Sequence, residues 1–265
     1  MRSIDVHDRC ARFRSLHVPG APLVLPNAWD VASARAVVEA GFPVVATTSG
    51  GVAAALGYED HEGAPANEML GAAARITRAV DVPVTVDAEA GYGLEAVELV
   101  NTLRSMGAAG CNLEDTDHST GKVRDLGEQA DRLRAVNDAA AAASYPLVIN
   151  ARIDVFLSAA LSGSAEGTQE ALVDDALARA RAYVEAGADC VFPIALWEQG
   201  ALERFLAGAP GPVNILRIPP APSLADLASL GVARVSYGSL LHRDVLSAFA
   251  RQLESVAAES ASLNG

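Results

Sequence analysis

Short apolar runs rich in Val, Ile and Leu alternate along this chain with longer stretches in which apolar residues recur every third or fourth position. The short runs, bounded by Gly, Pro or Asp, predict buried strands, and the longer period predicts amphipathic helices. Strands are expected at 23–25, 44–47, 82–87, 111–113, 147–150, 190–192, 213–216 and 232–236. Helices are expected at 31–40, 67–80, 95–106, 129–142, 170–186, 197–206, 223–230 and 240–257, after a leading helix at 4–16. In the stretch 170–186, Val173, Leu177, Ala180 and Val184 share one face. A helix-end phrase recurs as Glu39-Ala40-Gly41, Ser105-Met106-Gly107, Glu185-Ala186-Gly187 and Ser229-Leu230-Gly231, each followed by an apolar run. Residues 49–65 read as a long glycine- and alanine-rich connection, and 116–125 and 158–168 as polar loops.

Strand followed by helix, repeated eight times, implies a parallel sheet with its helices outside. Eight units in roughly 240 residues fit a closed (β/α)8 barrel better than an open doubly wound sheet. No linker or shift in composition divides the chain, so a single α/β domain over 1–265 is expected, with a short N-terminal helix and a C-terminal helical tail.

In such a barrel the chemistry collects at the carboxyl ends of the strands. The run 82–87 ends in Asp87-Ala88-Glu89 and then turns through Gly91 and Gly93. Alternation along a strand points Asp87 and Glu89 the same way. Two such carboxylates either flank a hard divalent cation held through oxygen or are unrelated acids in water. The other strand ends offer Asn27, Trp29 and Asp30; Ser49, Gly50 and Gly51, with Tyr58 and Asp60 further on; Glu114 and Asp115; Asn150 and Arg152; and Asn214 and Arg217. Asp60, Asp87, Glu89, Glu114 and Asp115 could not all ionise side by side without a cation. Mg²⁺ or Mn²⁺ is favoured over Zn²⁺, because no His or Cys ligand set stands out. The amides of Ser49–Gly51 can bind an oxyanion or can simply form a turn. Arg152 can clamp a carboxylate through two hydrogen bonds or pair with a neighbouring acid. The loop 116–125 is a lid candidate in which His118 or Lys122 can deliver a proton, or a solvated loop without chemistry. His7, His17, His61 and His242 show no partner pattern and read as surface groups.

Composition narrows the partners. The 265 residues are 51% hydrophobic, enough for a sizeable core, and 20 basic against 33 acidic side chains leave a net charge of −13. That balance argues against nucleic acid and anionic membranes as partners, yet a bound cation or a local arginine can still reverse the field for an anionic substrate. The first residues are polar without an apolar signal core, and no apolar run is long enough to span a bilayer. Cys10, Cys111 and Cys190 are far apart and lack metal-ligand spacing, and Cys111 and Cys190 sit in apolar runs as reduced core thiols. A cytoplasmic protein is expected.

Several motifs, in this order, resemble the isocitrate lyase / phosphoenolpyruvate mutase superfamily: Leu25-Pro26-Asn27-Ala28-Trp29-Asp30, Thr48-Ser49-Gly50-Gly51, Leu56-Gly57-Tyr58-Glu59-Asp60, Asp87-Ala88-Glu89-Ala90-Gly91-Tyr92-Gly93, Leu113-Glu114-Asp115 and Asn150-Ala151-Arg152-Ile153-Asp154. The resemblance spans most of the chain. It implies a Mg²⁺-dependent enzyme on a (β/α)8 barrel, tetrameric or dimeric, with the last helix exchanged between subunits. It implies small 2-oxo carboxylates or their enolates as substrates, with C–C or P–C bonds made or broken beside the carbonyl. It places Asp87 and Glu89 beside the metal, with Asp60 and Glu114 supporting through water. Ser49, Gly50 and Gly51 become the carboxylate and oxyanion site, with Trp29 and Asp60 alongside. Arg152 becomes a second carboxylate clamp, with Asn214 near it.

The departures matter as much. The isocitrate and methylisocitrate lyases carry a Lys-(Lys/Arg)-Cys-Gly-His lid whose cysteine acts as the acid, whereas this lid reads Thr116-Asp117-His118-Ser119-Thr120-Gly121-Lys122. The mutase lid is not reproduced either, and Glu89 stands where an aspartate is usual. Losing the lid groups favours the least demanding chemistry, a C–C lyase with oxaloacetate decarboxylation as the leading example. The alternatives are a P–C mutase or hydrolase and a barrel that binds a 2-oxo acid without turnover.

Overall fold

The computed structural model describes residues 5–163 and 169–263. Its strands are β1 (Leu23–Leu25), β2 (Asn27–Ala28), β3 (Val45–Thr47), β4 (Val84–Asp87), β5 (Gly110–Glu114), β6 (Thr116–Asp117), β7 (Lys122–Val123), β8 (Val148–Ile153), β9 (Cys190–Pro193), β10 (Asn214–Leu216) and β11 (Arg234–Ser236). Its helices are α1 (Val6–Ser15), α2 (Val31–Glu39), α3 (Ser49–Leu56), α4 (Ala66–Ala79), α5 (Ala96–Met106), α6 (Leu126–Ala142), α7 (Val155–Leu161), α8 (Gln169–Glu185), α9 (Gln199–Gly208), α10 (Leu224–Ser229) and α11 (Leu240–Ala261).

The parallel strands run β2-β3-β4-β5-β8-β9 in one sheet and β1-β11-β10 in another. The two sheets make one ring. Pro26, which has no N–H to donate, splits a single strand into β1 and β2. β1 pairs with β11 and β2 with β3. On the far side Val191 of β9 bridges Val213, just before β10. The ring is the expected (β/α)8 barrel, and each of the eight expected strands lies on it. The register sets Asp87 beside Asn112 and Glu114 beside Arg152.

α1 closes the amino-terminal end of the barrel. Asp5 caps it by accepting the His7 N–H. Cys10 and Phe13 are buried, and a Cβ on Gly110 would meet the Phe13 ring at 2.6 Å, so the helix lies directly on the start of β5. Arg14 fixes the attachment through Asp189 at 2.7 Å, and Asp189 also accepts the Ile149 N–H at 2.9 Å. The opposite end stays open for chemistry.

Three segments differ from expectation. The connection 49–65 begins with α3, because Ala53-Ala54-Ala55-Leu56 favours helix and tolerates two glycines in its first turn. Gly57, at a φ of 88°, ends it. The stretch 158–168 begins inside α7, while 164–168 lies outside the described residues, as does residue 4 of the leading helix. The loop 116–125 folds partly into the antiparallel hairpin β6–β7, turning at Gly121 with a φ of 68°.

Val86, Cys111, Ile149, Val191, Ile215 and Val235 belong to one continuous apolar core between the strands and the helices around them. On the alternate positions, facing the inside of the barrel, lie the buried polar side chains of Thr85, Asn150, Asn214 and Arg234. His242, at the start of α11, is buried against the Trp29 ring, and His17 is half-buried on Phe13. Neither is a surface group, because each packs its ring on an aromatic neighbour. Burial holds the His17 imidazole down to a pKa of about 4. Beyond His242, α11 leaves the barrel and exposes an apolar row of Val245, Phe249, Leu253 and Val256. Among the described residues no helix is long and apolar enough to cross a membrane.

Candidate active site at the carboxyl ends of the strands

A cavity of about 160 Å³ opens at the carboxyl ends of the strands. Asn27, Ser49, Asp60, Asp87, Asn112 and Arg152 line it, with Tyr237, Ser239 and Arg243 from the turn into α11. The strand ends therefore bring Asp60, Asp87, Ser49 and Arg152 together as the sequence motifs suggest.

Asp87 is held from three sides. Its Oδ2 accepts the Ser49 N–H at 2.9 Å, its own N–H donates to Thr47 Oγ1 at 2.8 Å, and Asn112 Nδ2 approaches Oδ1 at 3.5 Å. Asn112 is itself oriented, since Asn150 Nδ2 and Arg234 Nη2 both donate to its Oδ1 at 2.9 and 3.0 Å. With its oxygen so occupied, the Asn112 amide nitrogen must face Asp87. The Ser49 amide is thus committed to Asp87 rather than left free for an oxyanion.

Gly50 is required by close approach. A Cβ there would stand 2.6 Å from both Asp60 Oδ2 and Ser239 Oγ. Gly51 instead makes room for packing, since a Cβ would meet Thr48 Cγ2 at 2.7 Å and the Trp29 Cβ at 3.0 Å. Trp29 lies outside the cavity, in an apolar groove between α2 and α11. Asn214 is fully buried below the mouth, donating to Ser236 Oγ at 3.3 Å. Tyr58 turns outward to Glu68 at 2.8 Å.

Glu89 is buried at a left-handed φ of 47°, which aims its carboxylate back toward the mouth. Its Oε2 accepts the Glu62 N–H at 2.5 Å, and Glu62 in turn accepts the Tyr92 N–H at 2.5 Å. Burial, reinforced by the charges of Asp87, Asp60 and Glu114, pushes the Glu89 carboxyl up to about 8. Glu114 is also buried and is raised to about 7, against the pull of Arg152 and His118.

Arg152 grips Asp154 with both teeth of its fork, Nε to Oδ1 at 2.6 Å and Nη2 to Oδ2 at 2.9 Å, and its Nη1 pairs with Glu114. Asp154 accepts Thr116 Oγ1 at 2.5 Å as well, tying this group to the lid. Asp115, one residue from Glu114, points away into the wall. It binds Tyr183 Oη at 2.7 Å, Arg179 Nη1 at 3.1 Å and the Asp154 N–H at 2.8 Å. It is a structural acid, not a member of the mouth cluster.

In the lid, His118 Nε2 lies 2.5 Å from Glu114 Oε1 with its side chain only 9% exposed. Burial opposes protonation of His118, but the Glu114 carboxylate outweighs it and the imidazole pKa is raised. Lys122 sits exposed at the start of β7, across the hairpin from Asp117. His61, expected as an isolated surface group, faces this pair from the loop after α3, and its ring centroid is 5.4 Å from that of His118. The donor atoms of His61, Glu114 and His118 lie within 4.8 Å of one another. A histidine-containing ligand set therefore exists, contrary to the expectation from spacing, because the fold assembles it from separate segments.

A hard cation fits the acid cluster. Asp60 Oδ1 is buried without a hydrogen-bond partner among the described residues, and Glu89 needs added positive charge to stay ionised at neutral pH. The donors around Asp87 are carboxylate oxygens, the set that Mg²⁺ or Mn²⁺ accepts while keeping waters. Asn112 and Arg234 carry no motif in the sequence, and Tyr92 and Asp154 stand there only as motif members without a role. Asn112 was findable, because the barrel register places it opposite Asp87.

A family model for phosphoenolpyruvate phosphomutase matches residues 13–257. A solved structure of a proposed phosphonomutase from Burkholderia cenocepacia J2315 is 43% identical, superposes with a TM-score of 0.86, and matches over 93% of this chain and 99% of its own. An uncharacterized protein of Mycobacterium tuberculosis is 34% identical over 92% of this chain and 88% of its own. The 2-methylisocitrate lyase of Escherichia coli is 31% identical over 88% of this chain and 79% of its own.

Proposed function

Given that the chain belongs to the phosphoenolpyruvate phosphomutase family, a family of lyases and mutases, we propose that it is a divalent-cation-dependent lyase for a small 2-oxo or 2-hydroxy polycarboxylate. The leading reaction is oxaloacetate decarboxylation. The C3–C4 bond breaks, carbon dioxide leaves, and C3 of the remaining enolate takes a proton to give pyruvate. The observation that carries this reading is the group of Asp60, Asp87, Glu89 and Glu114 at the mouth, with one Asp60 oxygen buried and without a hydrogen-bond partner among the described residues.

Asp87 and Glu89, with Asp60 and Glu114 through water, would hold Mg²⁺ or Mn²⁺. When bound, the cation supplies positive charge for the 2-oxo and carboxylate oxygens and for the negative charge that develops as the bond breaks. The chain's own residues do the rest. Ser49, Thr47 and Asn112 fix the direction of Asp87. Asp154 holds the Arg152 guanidinium at the cavity wall, where its charge favours an anionic substrate. The hydrogen-bonded His118–Glu114 pair holds a proton beside the mouth, and in this reading it is the source of the proton that C3 takes up after carbon dioxide departs. The lid then acts by delivering that proton and excluding water, with no cysteine in it.

The exposed apolar row on α11 and the apolar groove between α2 and α11 support a homo-oligomer with exchanged C-terminal helices. The three cysteines are buried free thiols, which supports a reducing compartment such as the cytoplasm. The net charge of −13 supports a small-molecule partner over nucleic acid or membrane.

A second reading, P–C bond chemistry on a phosphonate, is favoured by the 43% identity to the proposed phosphonomutase. Assaying oxaloacetate, 2-methylisocitrate, 2,3-dimethylmalate and phosphonopyruvate with and without EDTA separates the readings. Pyruvate from oxaloacetate, lost on chelation, supports the lyase. Turnover of phosphonopyruvate alone selects the second reading, and cation-dependent binding without product selects a non-catalytic barrel.

A further inference from the structure

Two chemically different donor sets share this mouth. Around Asp87 the donors are oxygens. At the rim, His61, Glu114 and His118 bring two imidazoles and one carboxylate within 4.8 Å of one another. Two imidazoles and a carboxylate, with a fourth position open, form the donor set of a tetrahedral zinc site, whereas magnesium prefers oxygen.

We propose that His61, Glu114 and His118 form a second cation site, of the zinc class, that shares only Glu114 with the seat at Asp87, and that filling it locks the mouth shut.

The surroundings are those of a supported metal ligand set. The far oxygen of Glu114 pairs with Arg152, which is itself braced on Asp154. Ligating carboxylates with such an outer partner are oriented and tuned by it. The hydrogen bond between Glu114 and His118 accounts for those two side chains but not for the His61 ring beside them. His61 makes no hydrogen bond among the described residues, and its backbone sits at a φ of 65°, outside the region most non-glycine residues occupy. The next residue is fixed, since the Glu62 N–H is held by Glu89 and the Glu62 carboxylate by the Tyr92 N–H. The loop thus presents His61 to the lid from a secured turn.

Binding has a mechanical consequence. His118 belongs to the lid segment between β6 and β7, and His61 is the neighbour of Asp60 on the opposite loop. One cation bound to both joins the two loops across the entrance. It also takes the Glu114 oxygen that holds His118, replacing the proton between them. Zinc is therefore expected to inhibit turnover while raising thermal stability.

The test is equilibrium binding of Zn²⁺ to the full chain, measured by competition with a chromogenic chelator, for the wild type and for His61→Ala, His118→Ala and Asp87→Ala. Mn²⁺ binding to the same four proteins is followed by electron paramagnetic resonance. The proposal expects Zn²⁺ affinity to fall about tenfold or more in both histidine variants, the scale on which metal sites respond to loss of supporting groups, and to persist in Asp87→Ala. It expects Mn²⁺ to show the opposite pattern. His61 is exposed, so its replacement leaves the barrel intact. Unchanged Zn²⁺ affinity in His61→Ala, or loss of Zn²⁺ in Asp87→Ala, overturns the proposal. Failure of Mn²⁺ to depend on Asp87 counts instead against the cation seat of the proposed lyase and leaves the zinc site standing.

Discussion

Arg152 spends its bidentate face on Asp154, at 2.6 and 2.9 Å, and gives only its remaining nitrogen to Glu114. Two positions apart on an extended segment, the two side chains emerge on the same face. The guanidinium that the motif offers as a substrate clamp is thus already clamped from within. Its charge is fixed at the cavity wall, and its direction is set by Asp154.

Replacing Asp154 should therefore disable the site and weaken the fold together. Asp154→Ala removes the partner of a buried guanidinium and frees Thr116 of the lid. Breaking a buried pair from one side costs about 3–5 kcal/mol. Urea denaturation should show a loss of that order, with kcat/KM for oxaloacetate falling as well.

Arg234 should behave in the opposite way. It is fully buried, it donates to Asn112 at 3.0 Å and lies over the Phe13 ring, and its Nε and Nη1 have no hydrogen-bond partner among the described residues. Swapping a poorly compensated buried charge for an apolar side chain of similar volume is neutral or stabilising by about 1–4 kcal/mol. Arg234→Met should hold or raise the melting temperature. It should also weaken Mn²⁺ binding, because Asn112 loses a donor that keeps its amide turned to Asp87.

The barrel was legible in the sequence because short apolar runs alternate with amphipathic stretches, several of which end in glycine, as at Glu39-Ala40-Gly41 before Val45. Asp87 and Glu114 were legible as acids at strand ends, but alternation does not account for Glu89, because β4 stops at Asp87 and a left-handed φ of 47° sets the direction of Glu89. Asp115 was not separable from Glu114, since adjacent residues at a strand end look alike until Tyr183 and Arg179 claim one of them. The His61–His118 approach was also hidden, because loops far apart in sequence carry no shared period. α3 was hidden by Gly50 and Gly51, which lower helix propensity yet are needed there for close packing against Asp60 and Thr48.

Cation-free protein should lose stability as pH rises. Burial raises Glu89 to about 8, Glu114 to about 7 and Asp115 to about 6, all above their unfolded values. Between about pH 4.5 and 8 the unfolded chain has released protons that the native state retains, so stability falls with pH through that window. Below it both states hold the protons and the effect is absent. Thermal melts in EDTA should follow this slope. Mg²⁺ should flatten it near pH 8, and Glu89→Gln should remove its upper part.

The row on α11 predicts assembly through that helix. Phe249 is 58% exposed between Val245 and Leu253. Phe249→Glu should leave the barrel folded by circular dichroism while lowering the mass measured by light scattering to that of a smaller species.

The most direct test of the lyase reading follows oxaloacetate by NMR with cation-depleted protein, with the same protein after Mg²⁺ is restored, and with Asp87→Asn. The expected result is pyruvate formation that appears only with Mg²⁺ and drops by a factor on the order of 10² to 10³ in Asp87→Asn, the scale of losing one charge-stabilising element at a reacting oxygen. Pyruvate formation above the protein-free rate that is indifferent to both chelation and Asp87→Asn would contradict it.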